Sequence, residues 1–227
     1  MSENITIRDW PESERPREML LSRGPSALSD ANLVAILLRT GNEGENAVSL
    51  ARNLLATLGG LSGLVNASEK ELGKFKGLGP AKISILLSLK EIIKRILNAK
   101  IIGKNAVNSP EEVVNYLTNT MKDLKKEVFK VIYLNNANCV LGVENVFEGT
   151  ADQAMVYPRE VVQRALEQSA TGVIFAHNHP SGSLEPTQHD KEITIKLAKA
   201  CRAVDIIPLD HIIIAGSQYR SLKEYLD

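Results

Sequence analysis

Cysteine is scarce in this sequence, and several motifs of zinc enzymes are missing. The two cysteines, Cys139 and Cys201, lie far apart and outside any Cys-x-x-Cys pair. Their placement argues against a disulfide framework or a thiolate zinc site and is compatible with a reducing cytoplasm, where we expect the protein. The chain has neither His-Glu-x-x-His nor the His-x-Glu and Pro-Cys-x-x-Cys pair, which excludes the zincins and the zinc deaminases.

Long apolar runs are missing as well. No stretch approaches about 18 consecutive apolar residues, so the sequence predicts no membrane span and no membrane partner. The first residues, Met-Ser-Glu-Asn-Ile-Thr, show no signal-peptide pattern. The net charge is zero, but residues 69–104 contain nine basic and three acidic residues. A local basic excess of this kind makes nucleic acid a candidate partner.

All four histidines fall within one 35-residue window, residues 177–211. The apolar run Val-Ile-Phe-Ala at 173–176 predicts a buried strand, and His177 and His179 follow at its carboxyl end. Side chains two residues apart on a strand point to the same face, so the two rings should lie side by side. A loop then leads to a helix that starts near Thr187 and carries Asp190 in its first turn. Two imidazoles and one carboxylate make an open zinc site, with the fourth position left for water.

Other interpretations of these residues stay open. Thr187 and Asp190 have the spacing of a capping box, in which the acid serves the helix start. That role does not exclude metal binding, because a carboxylate has two oxygens. His211, directly after Asp210, is either a core histidine at a strand start or a residue that hydrogen-bonds a metal ligand from behind.

The full pattern resembles a known motif. His-x-His, seven residues, a hydroxyl residue, two residues and Asp is similar to the JAMM motif of zinc-dependent isopeptidases and related MPN-domain proteins. The version His-Asn-His-Pro-Ser-Gly, with Pro-Arg-Glu at 158–160 and Asp-His-Ile-Ile at 210–213, resembles the bacterial RadC family (UPF0758), once labelled as DNA repair. The resemblance covers nearly the whole chain.

The resemblance implies roles for individual residues. His177, His179 and Asp190 match the metal ligands, with Zn²⁺ as the expected ion. Glu127 matches the catalytic glutamate that precedes a strand, although a solvated strand-edge charge is the alternative. Thr187 stands where the family has serine and would steady an oxyanion.

The implied function is zinc-dependent hydrolysis of a peptide or isopeptide bond in a substrate protein. The alternative is a DNA-associated binding protein whose JAMM fold is catalytically silent. The sequence leaves the oligomeric state open.

The region before residue 105 favours helices throughout. Ser29 and Asp30 can cap a helix that ends at Gly41, and a second helix over residues 48–58 is closed by Gly59 and Gly60. Ser68 and Glu71 have the spacing of a capping box for a short third helix, and Trp10 is expected to anchor the N-terminal arm on the body.

In the same region, residues 75–82 resemble the turn of a helix-hairpin-helix DNA binder. Gly77 and Gly79 could let backbone N–H groups approach a phosphate, and Lys74, Lys76 and Lys82 could contact neighbouring phosphates. A tight helical turn that only packs is the alternative.

The sequence therefore predicts an α+β protein of two domains. Residues 1–104 are expected to form an all-α, helix-hairpin-helix-like domain. The order of elements after residue 105 implies a mixed sheet with helices packed on it, and the resemblance implies that residues 105–227 form a JAMM/MPN domain, which is cytidine-deaminase-like. Residues 99–108 are expected to link them. The elements predicted after residue 105 are a helix starting near Pro110, strands at 127–134 and 139–147, a helix at 158–169, a strand at 172–177, a helix at 187–203, and two short strands at 206–209 and 211–215.

Overall fold

A computed structural model describes residues 6–149 and 156–226. The chain divides into two compact units, Met1–Ile93 and Lys94–Asp227. The division falls within the long helix Pro80–Ile101. The segment 99–108, which the sequence predicts as a linker, is helical up to Ile101, and Ile101 and Ala106 are buried in the core of the second unit.

The first unit is helical, as predicted. Ser29 accepts the N–H of Asn32 at the start of the second helix, and Ser68 and Glu71 form the predicted capping box. Trp10 packs against the core of this unit, which confirms its predicted role as an anchor. The helices, whose bounds define the labels used below, are α1 Pro16–Arg23, α2 Asp30–Leu38, α3 Ala47–Leu58, α4 Gly60–Asn66, α5 Glu69–Leu72 and α6 Pro80–Ile101.

Two details of the first unit differ from the prediction. Helix α2 ends at Leu38 rather than near Gly41, because Arg39 adopts a positive φ of 66° that stops the helix. Helix α4 begins directly after Gly59 and was not expected. The two glycines at 59 and 60 end one helix but do not open a loop.

A five-stranded mixed sheet organises the second unit. The strand order is β2-β1-β3-β4-β5; β3 and β4 run parallel, and the other neighbours are antiparallel. This arrangement confirms the predicted α+β fold. The elements are α7 Pro110–Met121, β1 Glu127–Leu134, β2 Val140–Gly149, α8 Pro158–Glu167, β3 Gly172–Asn178, α9 Gln188–Arg202, β4 Ile207–Ala215 and β5 Gln218–Ser221.

Helices cover both faces of the sheet. In β1, Phe129, Val131 and Tyr133 point to one face and belong to a core that also holds residues of α8 and α9. Val128, Ile132 and Leu134 point to the other face and share a core with residues of α7. A strand buried on both faces reads as a continuous apolar run, which is why β1 and β3 are easy to recognise in the sequence.

The prediction for the last two strands is wrong. Residues 207–215 form one strand, β4, and the next strand, β5, lies at 218–221. Asp210 looks like a break, but its carboxylate accepts the N–H of His211 and the hydroxyl of Ser221 on β5, so the strand continues through it. The register between β3 and β4 shifts near this point, between Val173 and Ile174.

Within the described residues, no single helix has the length and apolar character needed to cross a membrane. Helices α3 and α4 pass that test only as a pair, and they are bent by 85°.

Candidate metal centre

The carboxyl end of β3 places the two histidines. His177 lies within the strand, and His179 follows it, with its N–H donated to the Ile214 carbonyl of β4 at 2.8 Å. This bond keeps the chain extended past the end of β3, so that the rings two residues apart face the same way. Their Nε2 atoms lie 3.0 Å apart. The predicted pairing of the two rings is present.

The first turn of α9 delivers the carboxylate. Thr187 accepts the Asp190 N–H at 3.1 Å, and Asp190 Oδ2 accepts the Thr187 N–H at 2.7 Å, which is the predicted capping box. The Thr187 hydroxyl also donates to Oδ2 at 2.7 Å. These bonds fix the carboxylate and leave Oδ1 facing His177.

His177, His179 and Asp190 form a cluster that could hold a metal ion. One ligand atom from each lies within 4.8 Å of the others. His177 Nε2 is 3.2 Å from Asp190 Oδ1, and His179 Nε2 is 3.4 Å from Oδ2. A tetrahedral site with donor bonds of about 2.0–2.2 Å sets its donor atoms about 3.3–3.6 Å apart. The observed spacing is close to that, so the donor set fits a small divalent cation.

Charge and burial shape the protonation of this cluster. Burial acts to raise the pKa of the Asp190 carboxyl, but hydrogen bonds from His177, His179 and Thr187 lower it to far below its usual range. The carboxylate is therefore ionised. Its hydrogen bond to His179 raises the pKa of that ring. A proton on Nε2 of His179 would therefore compete with a cation for this position.

Each of the two histidine rings has a hydrogen-bond partner at its Nδ1 atom. His179 Nδ1 is 2.7 Å from the Ser183 carbonyl, which has no proton to give, so Nδ1 carries the hydrogen and Nε2 can offer its lone pair. His177 Nδ1 is 2.8 Å from Nε2 of His211. Burial lowers the pKa of His211 to well below its usual value. His211 is thus both a buried residue and a hydrogen-bond partner of His177.

Glu127 heads β1, two residues before Phe129, which pairs with His177 in the sheet. Burial raises the pKa of the Glu127 carboxyl, and its electrostatic neighbours include His177, His179 and Asp190. Glu127 therefore lies half-buried at the edge of the cluster. The alternative, in which Glu127 is only a solvated charge at a strand edge, does not require this position.

The comparisons with known proteins match both units. Residues 7–84 match the UPF0758 N-terminal family, and residues 107–226 match the RadC-like JAB domain. A UPF0758 protein of Pseudomonas fluorescens (strain SBW25) is 46% identical over 97% of this chain and 99% of its own length. One from Thiobacillus denitrificans is also 46% identical, over 97% and 98%.

The chain belongs to the UPF0758 (RadC) family. A UPF0758 protein from Aliivibrio fischeri (strain ATCC 700601 / ES114), 45% identical over 97% of this chain, carries a name that states no activity, as do the other two. The membership therefore supports the JAB fold and the resemblance to JAMM proteins, and the names of these relatives specify no reaction.

The Thr187 hydroxyl is engaged in this RadC chain. It donates to Asp190 Oδ2 and accepts the Asp190 N–H. A hydroxyl has a single proton to donate, so in this geometry Thr187 positions the carboxylate. The role in steadying an oxyanion, which the resemblance implies, needs the hydroxyl to turn away from Asp190.

The three residues predicted to bind phosphate lie at the start of α6. Gly77 has a φ of +93°, and a Cβ there would lie 2.5 Å from Cβ of Asn42, so the tight turn has a packing reason. Lys82 donates from Nζ to the carbonyls of Gly41 and Gly77, each at 2.8 Å. Burial lowers the pKa of Lys82. Its ammonium group thus faces inward, and a phosphate contact by this turn stays a prediction that rests more on Lys74 and Lys76, which are exposed.

Two polar residues of the RadC site were not singled out from the sequence. Asn178, between the two histidines, hydrogen-bonds the main chain around Glu127. Thr194 lies 2.5 Å from Nδ1 of His211. Its signal is a hydroxyl four residues after Asp190, among the buried apolar residues of α9, which are Ile193, Leu197, Ala198 and Cys201.

Proposed function

We propose that this chain is a zinc-dependent hydrolase that cleaves a peptide or isopeptide bond in a protein substrate. The observation that carries the proposal is the convergence of two imidazole nitrogens and an ionised carboxylate, within 4.8 Å of one another, beside a half-buried glutamate. Family membership adds the JAB fold, in which such a set resembles the JAMM motif.

The donor set favours zinc among the common divalent ions. Two nitrogens and one oxygen are ligands that zinc accepts, and three protein ligands with one open position are typical of catalytic zinc sites. Calcium and magnesium prefer oxygen ligands throughout. His177, His179 and Asp190 would hold the ion. When bound, zinc would supply a nucleophile near neutral pH by acidifying a coordinated water, and would polarise the carbonyl under attack.

Glu127 is the residue that we assign to proton transfer. Burial raises the pKa of the Glu127 carboxyl, so this group takes up a proton more readily near neutral pH than an exposed glutamate does. It takes the proton that the attacking water loses and returns it to the departing amine, so the amine leaves as a neutral product. Thr187 holds Asp190, and His211 holds His177, in the orientations that metal binding needs.

Replacing the proposed base separates chemistry from metal binding. We expect Glu127→Gln to keep wild-type zinc content and lose turnover by about 100-fold or more, since general-base catalysis contributes on that scale. The measurement is mass spectrometry of new amino termini and released lysines, after zinc-loaded protein is incubated with peptides and isopeptide-linked conjugates.

Glu160→Gln is the matched control. Glu160 belongs to the motif Pro-Arg-Glu and lies in the first turn of α8, where an acid suits the helix start. This variant should cleave as the wild type does. Equal cleavage by the Glu127→Gln variant, or no cleavage by the zinc-loaded wild type across the panel, would contradict the proposal.

A further inference from the structure

A chain of three short contacts runs behind His177. His177 Nδ1 lies 2.8 Å from His211 Nε2, and His211 Nδ1 lies 2.5 Å from Thr194 Oγ1. Thr194 Oγ1 in turn lies 2.5 Å from the main-chain carbonyl of Asp190, one turn earlier on α9. His177, His211 and Thr194 are at most 1% exposed, so water does not complete these bonds. The chain of contacts starts at the main chain of one candidate ligand and ends at the ring of another.

Counting the available hydrogens shows which group donates in each of these three hydrogen bonds. The two contacts of Thr194 Oγ1 need one hydrogen each, and a carbonyl has none to give. The single hydroxyl proton therefore points to Asp190, and the other contact must be made by Nδ1–H of His211. His211 is fully buried, and burial disfavours its charged form, so the neutral ring has no second hydrogen for Nε2. The hydrogen between the rings then belongs to His177 Nδ1.

We propose that Thr194, acting through His211, fixes the tautomer of His177 so that its Nε2 lone pair faces the metal site. Thr194 is thus a positioning residue two hydrogen bonds removed from the ion, and this role depends on the metal centre proposed above. Burying the Thr194 hydroxyl would cost free energy of folding if it made no hydrogen bonds, so its two contacts explain why a threonine is tolerated on the buried face of α9.

The two candidate histidine ligands reach the same state by different routes. At His179, the Ser183 carbonyl accepts the Nδ1–H directly and leaves Nε2 with its lone pair. At His177, Nδ1 instead meets the side chain of His211 on β4, a ring that could place its hydrogen on either nitrogen. The Asp190 carbonyl, through Thr194, removes that ambiguity. Thr194→Val would keep the shape of the side chain but remove the acceptor for Nδ1–H of His211, so the hydrogen of that ring could lie on either nitrogen.

The tautomers can be read directly by long-range proton–nitrogen correlation of the histidine rings in the full-length, isotope-labelled protein at neutral pH. In the wild type, metal-free or zinc-loaded, His211 should carry its hydrogen on Nδ1 and His177 should have one on Nδ1. Thr194→Ser should keep this state. Thr194→Val should move the hydrogen of His211 toward Nε2. A wild-type His211 with its hydrogen on Nε2 would overturn the proposal, and this measurement needs no variant to fold.

Zinc affinity gives the second readout, measured by competition with a chelator. Thr194→Val should bind zinc about tenfold to 100-fold more weakly, as is typical when a residue behind a metal ligand is lost. Thr120→Val is the matched control, because Thr120 also donates to a carbonyl one turn earlier, that of Tyr116 on α7. It should bind zinc as the wild type does. Wild-type zinc affinity and ring signals in Thr194→Val would remove the role of Thr194.

The two proposals fail in different ways. If the wild type binds no zinc, the proposed function fails, and the His211 ring signals still decide the direction of the hydrogen-bond chain. If zinc binds and supports cleavage while His211 holds its hydrogen on Nε2, the hydrolase proposal stands and Thr194 has no part in it.

Discussion

The side-chain amide of Asn178 holds the main chain on both sides of Glu127. Its Oδ1 accepts the N–H of Val128 at 2.9 Å, and its Nδ2 donates to the carbonyl of Lys126 at 3.0 Å. Asn178 is 2% exposed and lies between the two histidines of the cluster. Neighbouring residues of a strand point to opposite faces, so His177 directs its ring to the candidate metal centre while Asn178, on the other face, holds the main chain that carries the proposed base.

Asn178→Ala should therefore destabilise the protein. Removing the amide leaves the buried Val128 N–H without its partner, which costs about 1–3 kcal/mol in the free energy of unfolding. Urea denaturation followed by circular dichroism measures the change. Asn136→Ala, in the exposed β1–β2 loop, is the control and should stay within about 0.5 kcal/mol. Equal stability of the two variants would show that the amide bonds do not hold this segment.

The turn before α6 offers a matched pair of glycines. Gly77→Ala should lower the free energy of unfolding by about 2 kcal/mol or more, because its φ of +93° is strained for alanine and its Cβ would meet Asn42. Gly79→Ala meets nothing within 4 Å and should have little effect. Thermal denaturation of both variants checks this. A stable Gly77→Ala protein would leave phosphate binding as the reason for a glycine there.

Lys82 provides a test of its inward orientation. Lys82→Met removes a charged donor from two carbonyls, and we expect a loss of about 1.5–3 kcal/mol in the free energy of unfolding. Lys74→Met, at an exposed position nearby, should change the stability by less than about 0.5 kcal/mol. Urea denaturation of the pair is the measurement. If Lys82→Met is as stable as the wild type but binds duplex DNA more weakly at low salt, the prediction of phosphate contact is favoured instead.

Metal affinity should depend on pH through His179. A histidine must lose its proton to bind a metal, and the contact with Asp190 raises the pKa of this ring in the metal-free protein. Affinity is thus full above the raised pKa and falls as the pH drops through it, starting at a higher pH than for an ordinary histidine. Chelator competition between about pH 8 and about pH 5.5 follows this change. An affinity that stays constant until an ordinary histidine would titrate contradicts the prediction.

The sequence predicts the local parts of this site well and the distant parts less well. The strand that ends at His177 and the capping box at Thr187 are visible because a few neighbouring residues determine them. Resemblance supplies Glu127, which lies 50 residues earlier in the chain than His177. The bonds of Asn178 and Thr194 depend on where β1 and β4 lie, and no local pattern reports that.

The error at β4 has the same origin. Asp210 breaks the apolar pattern, and only its partners on β5 and the register shift opposite β3 show that the strand continues. Similarly, the inward turn of Lys82 depends on carbonyls at Gly41 and Gly77, one of them in a loop far away in the sequence. A lysine beside a glycine-rich turn looks the same in sequence whether it binds phosphate or packs.

The most direct test of the account is the zinc content of three proteins after loading and dialysis, measured by inductively coupled plasma mass spectrometry. The wild type and His189→Ala, whose side chain is exposed in the same turn as Asp190, should each hold about one zinc per chain, and His179→Ala should hold none. A wild type that retains no zinc after loading, or a His179→Ala protein that retains as much as the wild type, would contradict the central claim that these residues form a metal centre.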